Sequence, residues 1–129
     1  MNAEKSLLVI VLLLFFGGAS FVILHTDAPK LLYVIDGDTV KVEYQGKKQS
    51  LRLTGIDAPE SNTLRYWYAE SGGQEAKDHL RQILSRPGRI NIKLENHKDY
   101  YGRLLGEILL ENESVNEAMI ADWYAKEYK

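Results

Sequence analysis

Carboxylate and arginine side chains are concentrated at the ends of three predicted strands. They belong to Asp36-Gly37-Asp38, to Arg52 with Asp57 and Glu60 behind it, and to the segment Asp99-Tyr100-Tyr101-Gly102-Arg103. Neighbouring carboxylates repel each other unless a cation offsets their charge, and arginine binds phosphate oxygens through two parallel hydrogen bonds. Brought into one cleft around a hard cation, residues of these types would carry out phosphoryl transfer.

Composition restricts the kind of cation. The chain has no Cys, and its three His residues have no partner at ligand spacing, so an oxygen-binding ion such as Ca²⁺ or Mg²⁺ fits better than zinc. Asp38 and Asp57 are the candidate metal carboxylates. Glu60 follows Asp57 closely enough to hold or deprotonate a water at the metal.

Each of these residues also has a simpler interpretation when it is taken alone. Asp38 and Asp57 are typical of a turn and a strand end, Arg52 of a solvent-facing strand position, and Glu60 of a solvated loop. Asp36 could support the metal site from behind or serve only the turn. Their joint presence favours the functional interpretation.

Alternation of apolar and polar residues indicates which elements position these side chains. It predicts strands over 39–44, 50–56 and 89–95. Further strands are predicted over 31–35, an apolar β-prone run, and over 103–110. Helical spacing predicts helices over 74–84 and 114–126, the second with Trp123 facing inward. A loop over 61–73 carries three aromatic residues, 66–68. Five short strands with two helices predict an α+β fold, a small closed β-barrel with the helices packed against it.

The turn between the second and third strands sets which residues face each other. A turn over Gln45–Lys48 predicts that Thr39 lies near Thr54, which brings Asp38 toward Asp57 at one end of the barrel. Two carboxylates would then meet where a cation could bind.

Residues 7–24 form an uncharged apolar run of 18 residues that follows Lys5. This pattern predicts a hydrophobic helix that acts as a signal peptide or as a membrane anchor, so residues 1–30 form a leader with a short linker and residues 31–129 the folded domain. We therefore expect an extracytoplasmic protein, either secreted or anchored in the membrane.

Charge limits how the domain could bind a polyanion. Residues 31–129 carry 14 basic and 16 acidic side chains, so long-range attraction for nucleic acid is weak. Local cations and a metal ion would have to bind the substrate.

The chemistry-bearing segments resemble the staphylococcal nuclease family. The matching segments lie in the family's order and spacing across residues 33–124: VIDGDTVKV, LRLTGIDAPE, GQEAKDHL, DYYGRLLGEI and SVNEAMI. The resemblance implies an oligonucleotide-binding (OB-fold) barrel of five strands. It also implies Ca²⁺-dependent hydrolysis of DNA and RNA, preferably single-stranded or frayed, that leaves 3′-phosphate and 5′-hydroxyl ends.

The resemblance also implies a role for individual residues. Asp38 and Asp57 would bind Ca²⁺ through their carboxylates and Ala58 through its backbone carbonyl. The catalytic residues would be Arg52 and Arg103 as phosphate clamps and Glu60 as the water-orienting residue or general base, with Tyr101 binding a substrate phosphate.

The sequence departs from the family pattern in a few places. Ala58 stands where threonine occurs, and Tyr100 where lysine is common, which removes one phosphate contact. Family members usually continue with a further helix after the segment around Tyr128. The rival hypothesis is a non-catalytic OB-fold module that binds nucleic acid or protein. We expect a monomer in either case.

Overall fold

The computed structural model describes the backbone of residues 8–15, 18–25, 28–61 and 70–129, and the side chains of residues 28–61 and 70–129. The loop predicted over 61–73 is described only at its ends, so its three aromatic residues lie outside the described part. The elements in chain order are β1 (Leu8–Phe15), β2 (Gly18–His25), β3 (Lys30–Asp36), β4 (Thr39–Tyr44), β5 (Lys47–Leu53), β6 (Ile56–Asp57), α1 (Gly73–Leu84), β7 (Ile90–Lys98), β8 (Leu104–Leu110), β9 (Glu113–Ser114), α2 (Val115–Ala121) and β10 (Lys126–Glu127).

The main sheet contains all five strands that the sequence predicted. Its order is β3-β4-β5-β8-β7, with β5 and β8 parallel and the other neighbours antiparallel. Inward-facing residues of these strands form the core together with α1 and α2, and its fully buried members include Val40, Val42, Leu51 and Ile108. The predicted α+β architecture is therefore present, as a mixed sheet with two helices.

The strand count and closure differ from the predicted five-stranded barrel. Three further strands have only two residues each. Strand β9 pairs with β8 of the main sheet, and β6 pairs with β10 in a separate sheet. Within the described residues no ladder joins β3 to β7, so the main sheet is open. Pairs of two residues are too short to show an alternating pattern, which explains why the sequence did not predict them.

The hairpin of β4 and β5 has a shorter turn than expected. Only Gln45 and Gly46 connect the strands, and both have positive φ, 52° and 71°, as a two-residue hairpin turn requires. The predicted pairing of Thr39 with Thr54 was wrong, because Thr39 faces Arg52. The slip is two residues, which preserves the face of every side chain and places Arg52 beside the Asp38 end of β4.

The two helices cover the sheet with the faces that their spacing predicted. Helix α1 buries Ala76, Leu80 and Ile83, while α2 buries Val115 and Met119. The Ser114 side chain caps α2 by accepting a hydrogen bond from the Glu117 amide.

The end of α2 corrects one prediction. The helix stops at Ala121 rather than near residue 126, and Trp123 is 93% exposed instead of buried. The Trp123 backbone has a left-handed φ of 66°, which ends the helix and turns the side chain away from the core.

The apolar segment near the N-terminus is also not the predicted hydrophobic helix. Strands β1 and β2 pair antiparallel, with Leu8 opposite His25 and Phe15 opposite Gly18. Valine, isoleucine and phenylalanine are as common in strands as in apolar helices, so an apolar run alone does not separate the two. In the part of the chain that the structure describes, no helix has both the length and the hydropathy needed to span a bilayer.

Candidate active site

Asp38 lies at the start of β4 with a carboxylate that is almost fully buried and fully hydrogen-bonded. One oxygen accepts the Thr39 hydroxyl at 2.9 Å, and the other accepts the Ala58 amide at 2.8 Å and lies 3.3 Å from Arg52 Nη2. Burial raises the pKa of Asp38, although the Arg52 charge and these hydrogen bonds oppose the shift. The buried carboxylate therefore depends on its cationic neighbour.

Arg52 bridges the two predicted metal carboxylates. Its Nη2 atom lies 3.3 Å from Asp38 and 3.4 Å from Asp57, while Nη1 donates to the carbonyls of Leu53 and Ile56 at 3.0 and 2.8 Å. The two carboxylates therefore flank one position, and positive charge occupies it.

Glu60 has several carboxylates as neighbours, and it lines the same cleft as Arg52. Burial raises the pKa of Glu60 to about 7, and a hydrogen bond with Asp36 and the negative charges of Asp36, Asp38 and Glu70 add to the shift. Asp36 itself is buried and accepts hydrogen bonds from the amide and hydroxyl of Ser61. A carboxyl group with this pKa exchanges a proton near neutral pH, as a general base must.

Asp99 forms an ion pair with Arg103 and orients its side chain. Its Nε donates to Asp99 at 2.6 Å, and Asp99 also accepts the amides of Tyr101 and Arg103 at 2.9 and 2.8 Å. The guanidinium lies over the Tyr101 ring, 5.6 Å from its centroid. Among the described residues Asp99 is the only acceptor of the Arg103 side chain, so its terminal nitrogens remain for a phosphate.

One cleft of about 400 Å³ brings the predicted catalytic and substrate-binding residues together. It is lined by Ile35, Asp36, Thr39, Ser50, Arg52, Glu60, Tyr101 and Arg103. Asp38 and Asp57 do not line this cleft, but they contact it through Arg52. Ala58 is buried behind Asp38, with its amide bonded to the Asp38 carboxylate.

The donor set fits a hard cation. Asp38 and Asp57 contact the Arg52 guanidinium, Asp36 and Glu60 line the adjoining cleft, and oxygen ligands with excess negative charge suit Ca²⁺. Within residues 28–61 and 70–129, no three Asp, Glu, His or Cys side chains form a metal cluster on their own. A site there would need the Ala58 carbonyl and water besides the carboxylates.

Gly37 lets the site pack against the first helix. A Cβ on Gly37 would lie 2.8 Å from the Ala76 Cβ and 2.9 Å from the Ala58 Cβ. The turn at Asp36–Asp38 therefore lies close to α1 and to Ala58, the residue after β6.

The sequence interpretation missed two residues that contact the site residues, Asp99 and Lys126. Asp99 was grouped with Arg103 but given no role, although an Asp shortly before a Gly often accepts nearby backbone amides. Lys126 lies opposite Asp57 in the β6–β10 pair, and its Nζ is 3.6 Å from the Asp57 carboxylate. No local signal could have predicted that contact.

Comparisons with known proteins show which sequences the chain is similar to. A sequence model described as "Staphylococcal nuclease homologue" matches residues 50–129. The thermonuclease of Staphylococcus hyicus is 37% identical over 101 residues, which covers 75% of this chain and 57% of that protein. In Bacillus subtilis, endonuclease YncB is 32% identical over 97 residues (71% of this chain, 44% of YncB) and endonuclease YhcR 35% identical over 109 residues (74% of this chain, 8% of YhcR). The chain thus spans little more than half of the first relative and less of the others.

Proposed function

The chain belongs to the staphylococcal nuclease family, and we propose that it is a Ca²⁺-dependent nuclease that hydrolyses phosphodiester bonds of DNA and RNA. The observation that carries the proposal is the shared cleft of Arg52, Glu60, Tyr101 and Arg103. The family relatives named thermonuclease and endonuclease support the same reaction class. Single-stranded or frayed substrates suit an open cleft of this size.

The two arginines bind the scissile phosphate. Among the described residues only Nε of Arg103 is bonded, to Asp99, so both of its terminal nitrogens can bind phosphate oxygens. The terminal nitrogens of Arg52 already contact protein oxygens, so Arg52 contributes its permanent charge beside the phosphate. Their charge stabilises the negative charge that develops on the phosphate as the water attacks. Tyr101 donates its hydroxyl to a phosphate oxygen, and Asp99 keeps Arg103 in place.

Glu60 prepares the nucleophile. Its carboxylate accepts a proton from a water as the water oxygen bonds to phosphorus, and the bond from phosphorus to the 5′ oxygen breaks in line. The 5′ oxygen leaves and takes up a proton from solvent, and Glu60 then releases its proton to solvent, which gives 5′-hydroxyl and 3′-phosphate ends.

Asp38, Asp57 and the carbonyl of Ala58 would hold Ca²⁺. When bound, the ion supplies positive charge beside the scissile phosphate. The support is that Asp38 and Asp57 lie close enough together for one nitrogen of Arg52 to contact both.

The test is hydrolysis of labelled single-stranded DNA and RNA by the full 129-residue chain, with Ca²⁺ or with a chelator. We expect cleavage with Ca²⁺ only, 3′-phosphate ends, and a loss of about 10²–10³-fold in kcat for Arg52→Lys and Arg103→Lys. Arg86→Lys, an exposed arginine in the turn after α1, is the matched control. A folded chain that binds oligonucleotide but cleaves nothing would identify the non-catalytic OB-fold module instead.

We also propose that residues 7–24 take the domain out of the cytoplasm, as a cleaved signal or as an anchor. The support is the charge-free apolar run after Lys5. Activity in the medium or the membrane fraction is expected, and activity confined to the cytosolic fraction would exclude this proposal.

A further inference from the structure

A row of outward-facing side chains lies next to the cleft on the open sheet. Tyr33 on β3, Lys41 on β4 and Ser50 on β5 face one another across the strands, since Tyr33 pairs with Lys41 and Lys41 with Ser50. Each stands next to a buried core residue, Val34, Val40 or Leu51. Side chains alternate along a strand, so all three point away from the core.

The row continues the surface of the cleft. Ser50 lines the cleft together with Arg52, and Ile35, two residues beyond Tyr33, lines it as well. Two residues along a strand span about 6.8 Å. This step is similar to the separation of successive phosphates in an extended single strand.

Lys41 carries a positive charge beside the cleft. Its ammonium donates to the Ser50 hydroxyl at 3.1 Å, and within the side chains that the structure describes it forms no ion pair, even with Glu43 further along β4. Its partly buried side chain is held by a neutral neighbour, so an anion can approach the ammonium. In a domain with excess acidic residues, such a cation beside the cleft is a local site for a phosphate.

Tyr33 presents its ring beside this cation. It is 56% exposed on the edge strand of the sheet. An exposed ring next to a lysine can stack on a nucleobase while the lysine contacts the adjoining phosphate.

We propose that Tyr33, Lys41 and Ser50 form a nucleotide-binding strip that holds the part of a single strand leaving the cleft. The strip rests on the proposed nuclease function, because it needs a nucleic acid whose scissile phosphate lies at Arg52. Lys41 and Ser50 bind one phosphate beyond the scissile one, and Tyr33 stacks on the base attached there. The strip therefore discriminates between long and very short substrates.

Fluorescence anisotropy with labelled oligothymidylates of two and ten nucleotides tests the strip in the full chain, with chelator present to prevent cleavage. Tyr33→Ala should weaken binding of the ten-nucleotide probe about tenfold, because stacking on one base is lost. Tyr33→Phe keeps the ring and should bind as the unaltered protein does. Binding of the two-nucleotide probe should not change.

The salt dependence of binding tests the role of Lys41. Lys41→Met should reduce the slope of log affinity against log salt by about 0.7, the value for one phosphate contact to a single strand. Lys41→Gln retains a donor to Ser50 and should show the same loss of slope. Lys93→Met, an exposed lysine on β7, is the matched control and should leave the slope unchanged.

The possible outcomes distinguish failure of the strip proposal from failure of the proposed nuclease function. If the unaltered protein cleaves DNA and the Tyr33 and Lys41 variants bind the longer probe normally, the strip is wrong and the nuclease function stands. If the unaltered protein neither binds nor cleaves, both proposals fall. Thermal melts check that each variant is folded.

Discussion

Arg52 Nη2 lies 3.3 Å from an oxygen of Asp38, whose side chain is only 3% exposed. The guanidinium also donates to two backbone carbonyls, so its position is fixed by the fold rather than by a substrate. A buried carboxylate that loses its cation is left with uncompensated charge. The same pair therefore supports the stability of the fold and the chemistry of the site.

Removing Arg52 should destabilise the protein through Asp38. Arg52→Met is expected to lower the free energy of unfolding by about 3 kcal/mol, because it leaves a buried charge without its partner. Adding Asp38→Asn removes that charge, so the double variant should lose less than the sum of the single losses. Urea unfolding of the four proteins measures this coupling, and strict additivity would contradict it.

Glu60 should make the metal-free protein less stable as pH rises. Its pKa is about 7 in the fold and 4.5 in the unfolded chain, so between these values the folded state holds a proton that the unfolded state has lost. The stabilisation is complete below pH 4.5 and is lost as pH rises through about 7. The raised pKa of Asp38 acts in the same direction.

Thermal melts in chelator from about pH 5 to about pH 8 check this dependence. Glu60→Gln cannot ionise, so the decline in melting temperature should become smaller than in the unaltered protein. Glu43→Gln, at an exposed position of β4, serves as the control. An unchanged pH profile for Glu60→Gln would show that this carboxyl does not titrate as described.

Asp57 should bind Ca²⁺ in competition with Lys126. Asp57→Asn removes a charged oxygen ligand and should weaken Ca²⁺ binding at least about tenfold in isothermal titration calorimetry. Lys126 is 3.6 Å from the same carboxylate but largely exposed, so Lys126→Met should strengthen binding by only about twofold. Equal affinities for the unaltered protein and Asp57→Asn would remove Asp57 from the metal site.

The sequence predicted which side of a strand a residue faces better than it predicted which residues pair between strands. Arg52 was assigned to the outward face because alternation has a period of two, whereas its pairing with Thr39 was missed because the turn has two residues rather than four. The contact between Asp57 and Lys126 joins distant segments and left no local pattern. The apolar segment before residue 25 fits a strand as well as a helix, so its hydropathy could not decide between them.

The end of α2 was missed for a different reason. The amide of Trp123 donates to the Ile120 carbonyl and that of Tyr124 to the Met119 carbonyl, which is the hydrogen-bond pattern of a helix end with a left-handed residue. Glycine is the usual residue at this position, and tryptophan gives no sequence signal for it.

Trp123→Gly should therefore stabilise the protein. A left-handed conformation costs a residue with a Cβ about 1–2 kcal/mol, and glycine gives back about half of this through its greater freedom in the unfolded chain. Because the Trp123 side chain is 93% exposed, little buried contact is lost. The expected gain is about 0.5–1 kcal/mol, which urea unfolding resolves. Trp123→Ala keeps the Cβ and should give no gain, so equal stabilisation by alanine and glycine would show that the indole side chain, and not the backbone angle, is the source of the cost.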